Sequence, residues 1–297
     1  MTTRRSARPR SYWAGLGLAM VIAAPTLAHS ATSATDIYLE RTLLSVLGAR
    51  CGLFTPGVSA ALAAGAAQAR GAALRAGSET RTLRAIEHDA RNRAARIACD
   101  SAPVVEAVQR VQSAFEGYSR VTRMTYRGDV SGWRADRGQS RTARWRLAQD
   151  AVFGSNRMIF GLAGRDATSA LVAVADFADN QTPYSARLVM RDGTRTAGPY
   201  LLGGATAALS RKLPPASATR GFLAEARSGA EAELLPKGAA DGWAFRFPAA
   251  AAQALAELDP REAVAVEFMF PGERVRRAYV EVGDFAAGKA FLTLAAR

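Results

Sequence analysis

Near Arg120 the spacing of apolar residues changes from a period of 3.6 to a period of 2, which divides the chain into a helical part and a strand-rich part. Between Thr35 and Arg120 four segments read as helices. Asp36 to Cys51 carries Ile37, Leu39, Leu43, Leu44, Val46 and Leu47, an arc wide enough to be buried on more than one side. Thr55-Pro56 then restarts the helix, with Thr as cap and Pro in the first turn. The second segment, Pro56 to Ala76, is nearly all Ala with Gly65 and Gly71, and Gly77 ends it. Ser78 caps a third, Glu79 to about Ala98, whose Leu83, Ile86, Ala90, Ala94 and Ile97 form a narrow stripe. After Asp100-Ser101, a fourth places Val104, Val108, Val111, Phe115 and Tyr118 along one seam.

Two cysteines are present, Cys51 and Cys99. In an up-down-up-down arrangement the ends of the first and third helices lie together, and these are the ends that carry the cysteines, so a Cys51–Cys99 disulfide is expected. The chain-entropy account gives such a bridge about 4 kcal/mol. On an ideal wheel Cys99 lies opposite the third helix's stripe, so that helix is expected to fray just before it.

Beyond Arg120, Ala143 to Leu147, Met158 to Ala163, Leu171 to Phe177, Ala186 to Met190 and Phe222 to Ala226 read as strands separated by turn residues. Trp243 to Phe247 reads as another strand and Ala249 to Leu258 as a helix. Ala263 to Phe270 and Val275 to Val282 make a hairpin across Pro271-Gly272-Glu273, and Asp284 starts a last helix. Residues 203–218, rich in Gly, Ala, Ser and Pro, read as a long loop.

The first thirty residues have the order of a secretory signal peptide. Arg4, Arg5, Arg8 and Arg10 precede an eleven-residue apolar run, Ala14 to Ala24, and Pro25 is followed by small residues at Ala28 and Ser30, where cleavage is expected. Eleven residues rise only about 17 Å as a helix, short of a hydrocarbon core of about 30 Å. The mature chain is therefore read as having no transmembrane span. Removing this segment lowers the net charge from +13 to +9, still clearly basic. Export also suits a disulfide.

Several chemistries are absent from the sequence. His88 is the only histidine beyond the leader region, and it falls on the polar face of its helix, so a Ser-His-Asp site has little to build on. No G-x-S-x-G turn, P-loop or G-x-G-x-x-G motif is present. Usual zinc sites are excluded by His and Cys count, and no metal, cofactor or catalytic residue is assigned. Paired carboxylates remain the one catalytic chemistry open, because a glycosidase needs two acids whose separation a sequence does not reveal. Asp166, Asp176, Asp179, Glu225, Glu267 and Glu281 lie in the strand region.

The strongest local anomaly runs from Arg120 to Arg146, a net +6 in 27 residues, with Tyr126, Trp133 and Trp145 among the charges. Guanidinium forks fit phosphates and carboxylates, and aromatic faces stack on sugars. Arg134, Arg137, Arg141, Arg144 and Trp133 are therefore the candidate contacts for an anionic surface. The alternative is a solvated, arginine-lined strand face with Trp145 in the core.

Asp259-Pro260-Arg261-Glu262-Ala263-Val264, followed by Glu281-Val282-Gly283-Asp284-Phe285-Ala286-Ala287-Gly288-Lys289-Ala290-Phe291-Leu292, looks like a tail of exported bacterial proteins of unassigned role. Over about 40 residues it resembles the end of invasion-associated locus B type domains. The resemblance implies an envelope domain of all-β or α+β class and transfers no catalytic residue.

The sequence thus reads as α+β: signal peptide 1–30, a disulfide-stapled helical bundle 31–120, and a mostly antiparallel β-rich domain 121–297 with two C-terminal helices. The expected role is non-enzymatic, as an exported periplasmic or secreted envelope protein binding a protein partner or an anionic envelope polymer rather than nucleic acid. The alternative is a carboxylate-dependent hydrolase of envelope glycan.

Overall fold

The computed structural model describes residues 33–165 and 168–293; the expected cleavage positions Ala28 and Ser30, and Asp166, lie outside them. Four helices open the described chain, α1 (Ala34–Cys51), α2 (Pro56–Arg75), α3 (Thr80–Arg96) and α4 (Ala102–Arg120). Their boundaries follow local chemistry. Ser33 Oγ accepts from Asp36 N while the Asp36 carboxylate accepts from Ser33 N, a reciprocal cap for α1. Gly52 closes α1 in the left-handed conformation, φ 64°, where a Cβ would be strained. Thr55 caps α2, with Pro56 in its first turn.

α3 ends at Arg96, three residues short of Cys99, and the intervening turn lets Cys99 reach Cys51 with a Cα–Cα distance of 5.7 Å. The disulfide and the helix order expected from the sequence are both present. α1 packs against α2 and α3, and α4 lies along α2. The α4 seam is only half-buried, Val104 alone being fully enclosed. Phe115 on that seam packs over Gly57 of α2, where a Cβ would stand 3.3 Å from the ring.

The remaining chain forms two antiparallel sheets. The first has seven strands in the order β1 (Arg123–Tyr126), β2 (Trp133–Asp136), β3 (Arg144–Phe153), β4 (Asn156–Gly164), β5 (Ala170–Asp176), β9 (Trp243–Phe247), β8 (Ala226–Gly229). The second has four, β11 (Arg274–Glu281), β10 (Ala263–Phe270), β6 (Ser185–Arg191), β7 (Thr219–Leu223). Phe160, Phe245, Phe247, Phe268 and Phe270 fill the core between them. The helices α5 (Ala249–Ala256) and α6 (Phe285–Leu292) add Leu255, Phe285 and Phe291 to the same core. The segment expected as one strand from Phe222 to Ala226 is broken instead, because the chain changes sheets there. Ala224 N still donates to Ala186 O of β6, whereas Glu225 N donates to Arg246 O of β9.

The opposite seam has no continuous strand. There the buried Gln149 side chain of β3 stands in for one: Nε2 donates to Glu281 O at 3.1 Å and Oε1 accepts from Glu281 N at 2.8 Å. The helical layer is fastened beside this seam. Arg75 of α2 grips Asp284 with two bonds of 2.8 Å, and Gly71 lies so close that a Cβ would stand 2.3 Å from Asp284 Oδ1. The 203–218 loop holds two short 3-10 turns, Leu209–Lys212 and Ala216–Ala218.

Replacing both cysteines by Ala is expected to lower stability by up to about 4 kcal/mol; urea unfolding checks this, and an unchanged midpoint would mean that helix packing alone holds α1 to α3. Gln149→Leu, similar in size but unable to pair, leaves the Glu281 N–H and C=O unmet. The expected cost is about 2–4 kcal/mol in the same assay.

Candidate anion-binding cleft

The basic segment alternates in and out of the sheet, and this decides what each arginine can reach. Trp133, Ala135 and Arg137 point inward; Arg134 is exposed. Trp133 is fully buried, donates Nε1 to Val282 O at 2.9 Å and packs edge-on to Phe285, so its ring offers no face to solvent. Arg134 pairs with Asp150 on the outer face. Arg144 bonds Asp136 and the Gly138 carbonyl, and Arg141 stands exposed on the connection from β2 to β3. Asp136 is partly desolvated, which works against its charge, but the Gly138 N–H and the Arg123 and Arg144 guanidinium groups outweigh this and hold its carboxyl below the usual range. Trp145 packs under the chain that follows β8, donating Nε1 to Leu234 O at 3.0 Å.

Two of the segment's arginines turn elsewhere. Arg146 occupies a β-bulge: Trp145 pairs with Ala163 and Leu147 with Leu162, so one extra residue stands opposite the partner strand. Bulges re-aim side chains, and Arg146 is buried against the Gly138 carbonyl at the wall of an open cleft of about 920 Å³. Arg137 forms the adjoining wall. From distant parts of the chain come Arg246 of β9 and Lys289 of α6, over an apolar lining that includes Leu162, Leu171, Phe247, Ala252 and Leu292. Glu225 is the only acid among the described lining residues, 4.0 Å from Arg246.

Arg137 has an unusual environment. Its Nε donates to Val121 O at 2.7 Å and its Nη2 to Tyr118 O and Ser119 O at 2.6 and 3.1 Å, so it caps the carbonyl end of α4. The guanidinium lies 4.3 Å from the centre of the Phe291 ring and 5.2 Å from that of Tyr118. Its Nη1 is buried without a hydrogen-bond partner. Burial pushes its pKa down, while Tyr118 and Tyr126 act in the opposite sense.

The acids singled out from the sequence are held in other ways. Asp176 pairs with Arg157, Asp179 with Arg276, and Glu267 sits between Arg187 and Arg277. Burial of Glu267 opposes its charge, but the two guanidinium groups prevail and lower its pKa. Glu281 is enclosed, and its carboxylate accepts from Asp129 N, Val130 N and Ser131 N at 2.7, 2.8 and 2.7 Å. Gly128 is required there, since a Cβ would stand 1.9 Å from Ser131 O and 2.7 Å from the carboxylate. Among the described residues no group of three or more His, Cys, Asp or Glu is arranged to hold a metal, and His88 is exposed with Asn92 beside it. No helix among them is long and apolar enough to cross a membrane.

Arg246 and Lys289 were missed as site residues in the sequence. The only trace of Arg246 is its outward position between the inward Phe245 and Phe247. No known family, curated protein or solved structure matches the chain.

The Glu281 geometry is that of a structural carboxylate. Glu281→Gln leaves one carbonyl oxygen facing three N–H donors and is expected to cost about 2–3 kcal/mol in thermal unfolding while leaving anion binding unchanged. Unchanged stability with lost binding would give this acid a functional role instead.

Proposed function

We propose that the protein is an exported envelope protein that binds an anionic envelope component without transforming it, and that the basic cleft is the contact. One observation carries the reading: Arg137, Arg246 and Lys289 converge on one cleft, in which Glu225 is the only acid among the described lining residues. Cations held close together raise the local concentration of anions, and the effect fades as salt screens it. Export accords with the disulfide and with the leader-like first thirty residues. For the hydrolase alternative, Asp176, Asp179, Glu267 and Glu281 are each taken up by arginines or backbone N–H groups, which leaves Glu225 as the singled-out described acid that lines the cleft.

The test is retention of the oxidised chain, from residue 31 onward, on isolated envelope fractions at low and high ionic strength. Retention is expected to fall with salt and to be lost when Arg246 and Lys289 are both changed to Ala. It should survive in the Arg134→Ala, Arg141→Ala double variant, whose charges lie outside the cleft. Retention lost only in that second variant would move the contact to the outer strand face, and retention in neither condition would overturn the reading.

A further inference from the structure

A second cleft, of about 430 Å³, shares no lining residue with the first and opens on the four-stranded sheet where the 203–218 loop borders it. The register sets Glu267 of β10 directly between Arg277 of β11 and Arg187 of β6. These three alternate with Val266 and Phe268, which enter the core, so they lie on the sheet's outer face. We infer that this cleft binds a small organic acid, a single carboxylate held by the two arginines and carried on a compact apolar body.

The carboxylate is indicated by what Glu267 leaves unused. The Glu267 side chain is only 6% exposed, whereas those of Arg187 and Arg277 are 47% and 54% exposed, so the acid lies beneath and the guanidinium groups face solvent. Arg187 spends one edge on this acid, its Nε and Nη2 both donating to Oε2 at 2.9 and 2.6 Å. Arg277 spends only Nε, which donates to Oε1 at 2.7 Å. Among the described residues nothing accepts a hydrogen bond from Arg187 Nη1 or from either Nη of Arg277. The paired Nη groups are a fork that takes a carboxylate through two parallel bonds. Both arginines are held in place beforehand. Glu267 fixes each at Nε, and the stem of Arg187 fills the space over Gly221, where a Cβ would stand 2.9 Å from its Cδ. Glu267 is the only acid among the described lining residues, so two guanidinium groups share one countercharge, which suits a monoanion.

The body is indicated by the rest of the lining. Val189 of β6, Tyr279 of β11, and Leu213 and Pro214 of the loop border the same space. The loop is pinned beside them, because the enclosed Lys212 donates Nζ to Ala205 O at 2.8 Å. A site for a bare ion has no use for such a wall, and the volume lies in the range of pockets that hold small organic ligands.

Ligand-observed NMR titration of the oxidised chain, from residue 31 onward, with cyclohexanecarboxylate tests this. Acetate provides the charge without the body, cyclohexylmethanol the body without the charge, and cyclohexylphosphonate a dianion on the same body. Cyclohexanecarboxylate is expected to bind at least about tenfold more tightly than acetate or the alcohol, and no less tightly than the phosphonate. Arg277→Lys keeps a charge against Glu267 but removes the fork, and should weaken the carboxylate about tenfold at an unchanged melting temperature. Leu213→Ala provides an independent check and should shrink the advantage over acetate while acetate binds as before. Arg246→Ala with Lys289→Ala, in the first cleft, should change nothing. Equal binding of acid and alcohol, or of acid and acetate, would overturn the inference, as would a tighter phosphonate. Binding that survives both Arg277→Lys and Leu213→Ala, or is lost with Arg246 and Lys289, would place the acid elsewhere and overturn it too. So would no carboxylate binding at all.

Discussion

Glu281 is the residue on which the architecture turns. It stands opposite Ala263 at the end of the β10–β11 ladder, and its backbone N–H and C=O both pair with the Gln149 side chain of β3. Its carboxylate meanwhile gathers three N–H groups of the β1–β2 turn. A buried charge is tolerated only when its hydrogen bonds are satisfied, so the turn's backbone and this acid require each other. Three residues on, Asp284 receives Arg75 from the helical layer. The last strand and the helix after it therefore join the two sheets and the helices within a stretch of four residues. The β2–β3 segment that walls the cleft is positioned from this point.

Charge is distributed unevenly over the molecule. Most of the arginines in the strand-rich part face carboxylates across a strand or a turn, as Arg187 and Arg277 do around Glu267 and Arg191 does at Glu262. Such pairs neutralise one another, so the protein's positive charge does not form a uniform field. At the cleft the pattern differs, because Arg137 is matched to helix carbonyls and aromatic rings rather than to an acid. The proposed anion site takes part of its wall from this group.

Much of the fold was legible in the sequence, for identifiable reasons. Helix limits followed from Thr55, Pro56 and Gly77, whose chemistry is local, and the cysteine pair followed from helix order. The β10–β11 hairpin was marked by its turn residues, with Gly272 at φ 74°. The cleft was not legible. Its walls come from residues more than a hundred positions apart, and Arg146 points into it only through a bulge, a one-residue slip that leaves no mark in an alternating pattern. Trp133 misled for a related reason: an aromatic ring among arginines reads as a stacking surface, but strand alternation sends it to the core while Arg134 faces out. Glu281 offered no signal at all, since the turn that wraps it lies about 150 residues away.

The two seams between the sheets are not equivalent. At one, the covalent chain itself runs from the second sheet to the first through Ala224 and Glu225, and it cannot part. At the other, side chains do the joining: the Gln149 amide, the Glu281 carboxylate and the Trp133 indole, which donates to Val282 O. The sandwich is bound like a book, with its spine at β7–β8 and its clasp at Gln149 and Glu281. Partial opening has one direction available to it, from the clasp outward. The leaves would separate along the stacked Phe153 and Phe268 rings before the spine is disturbed.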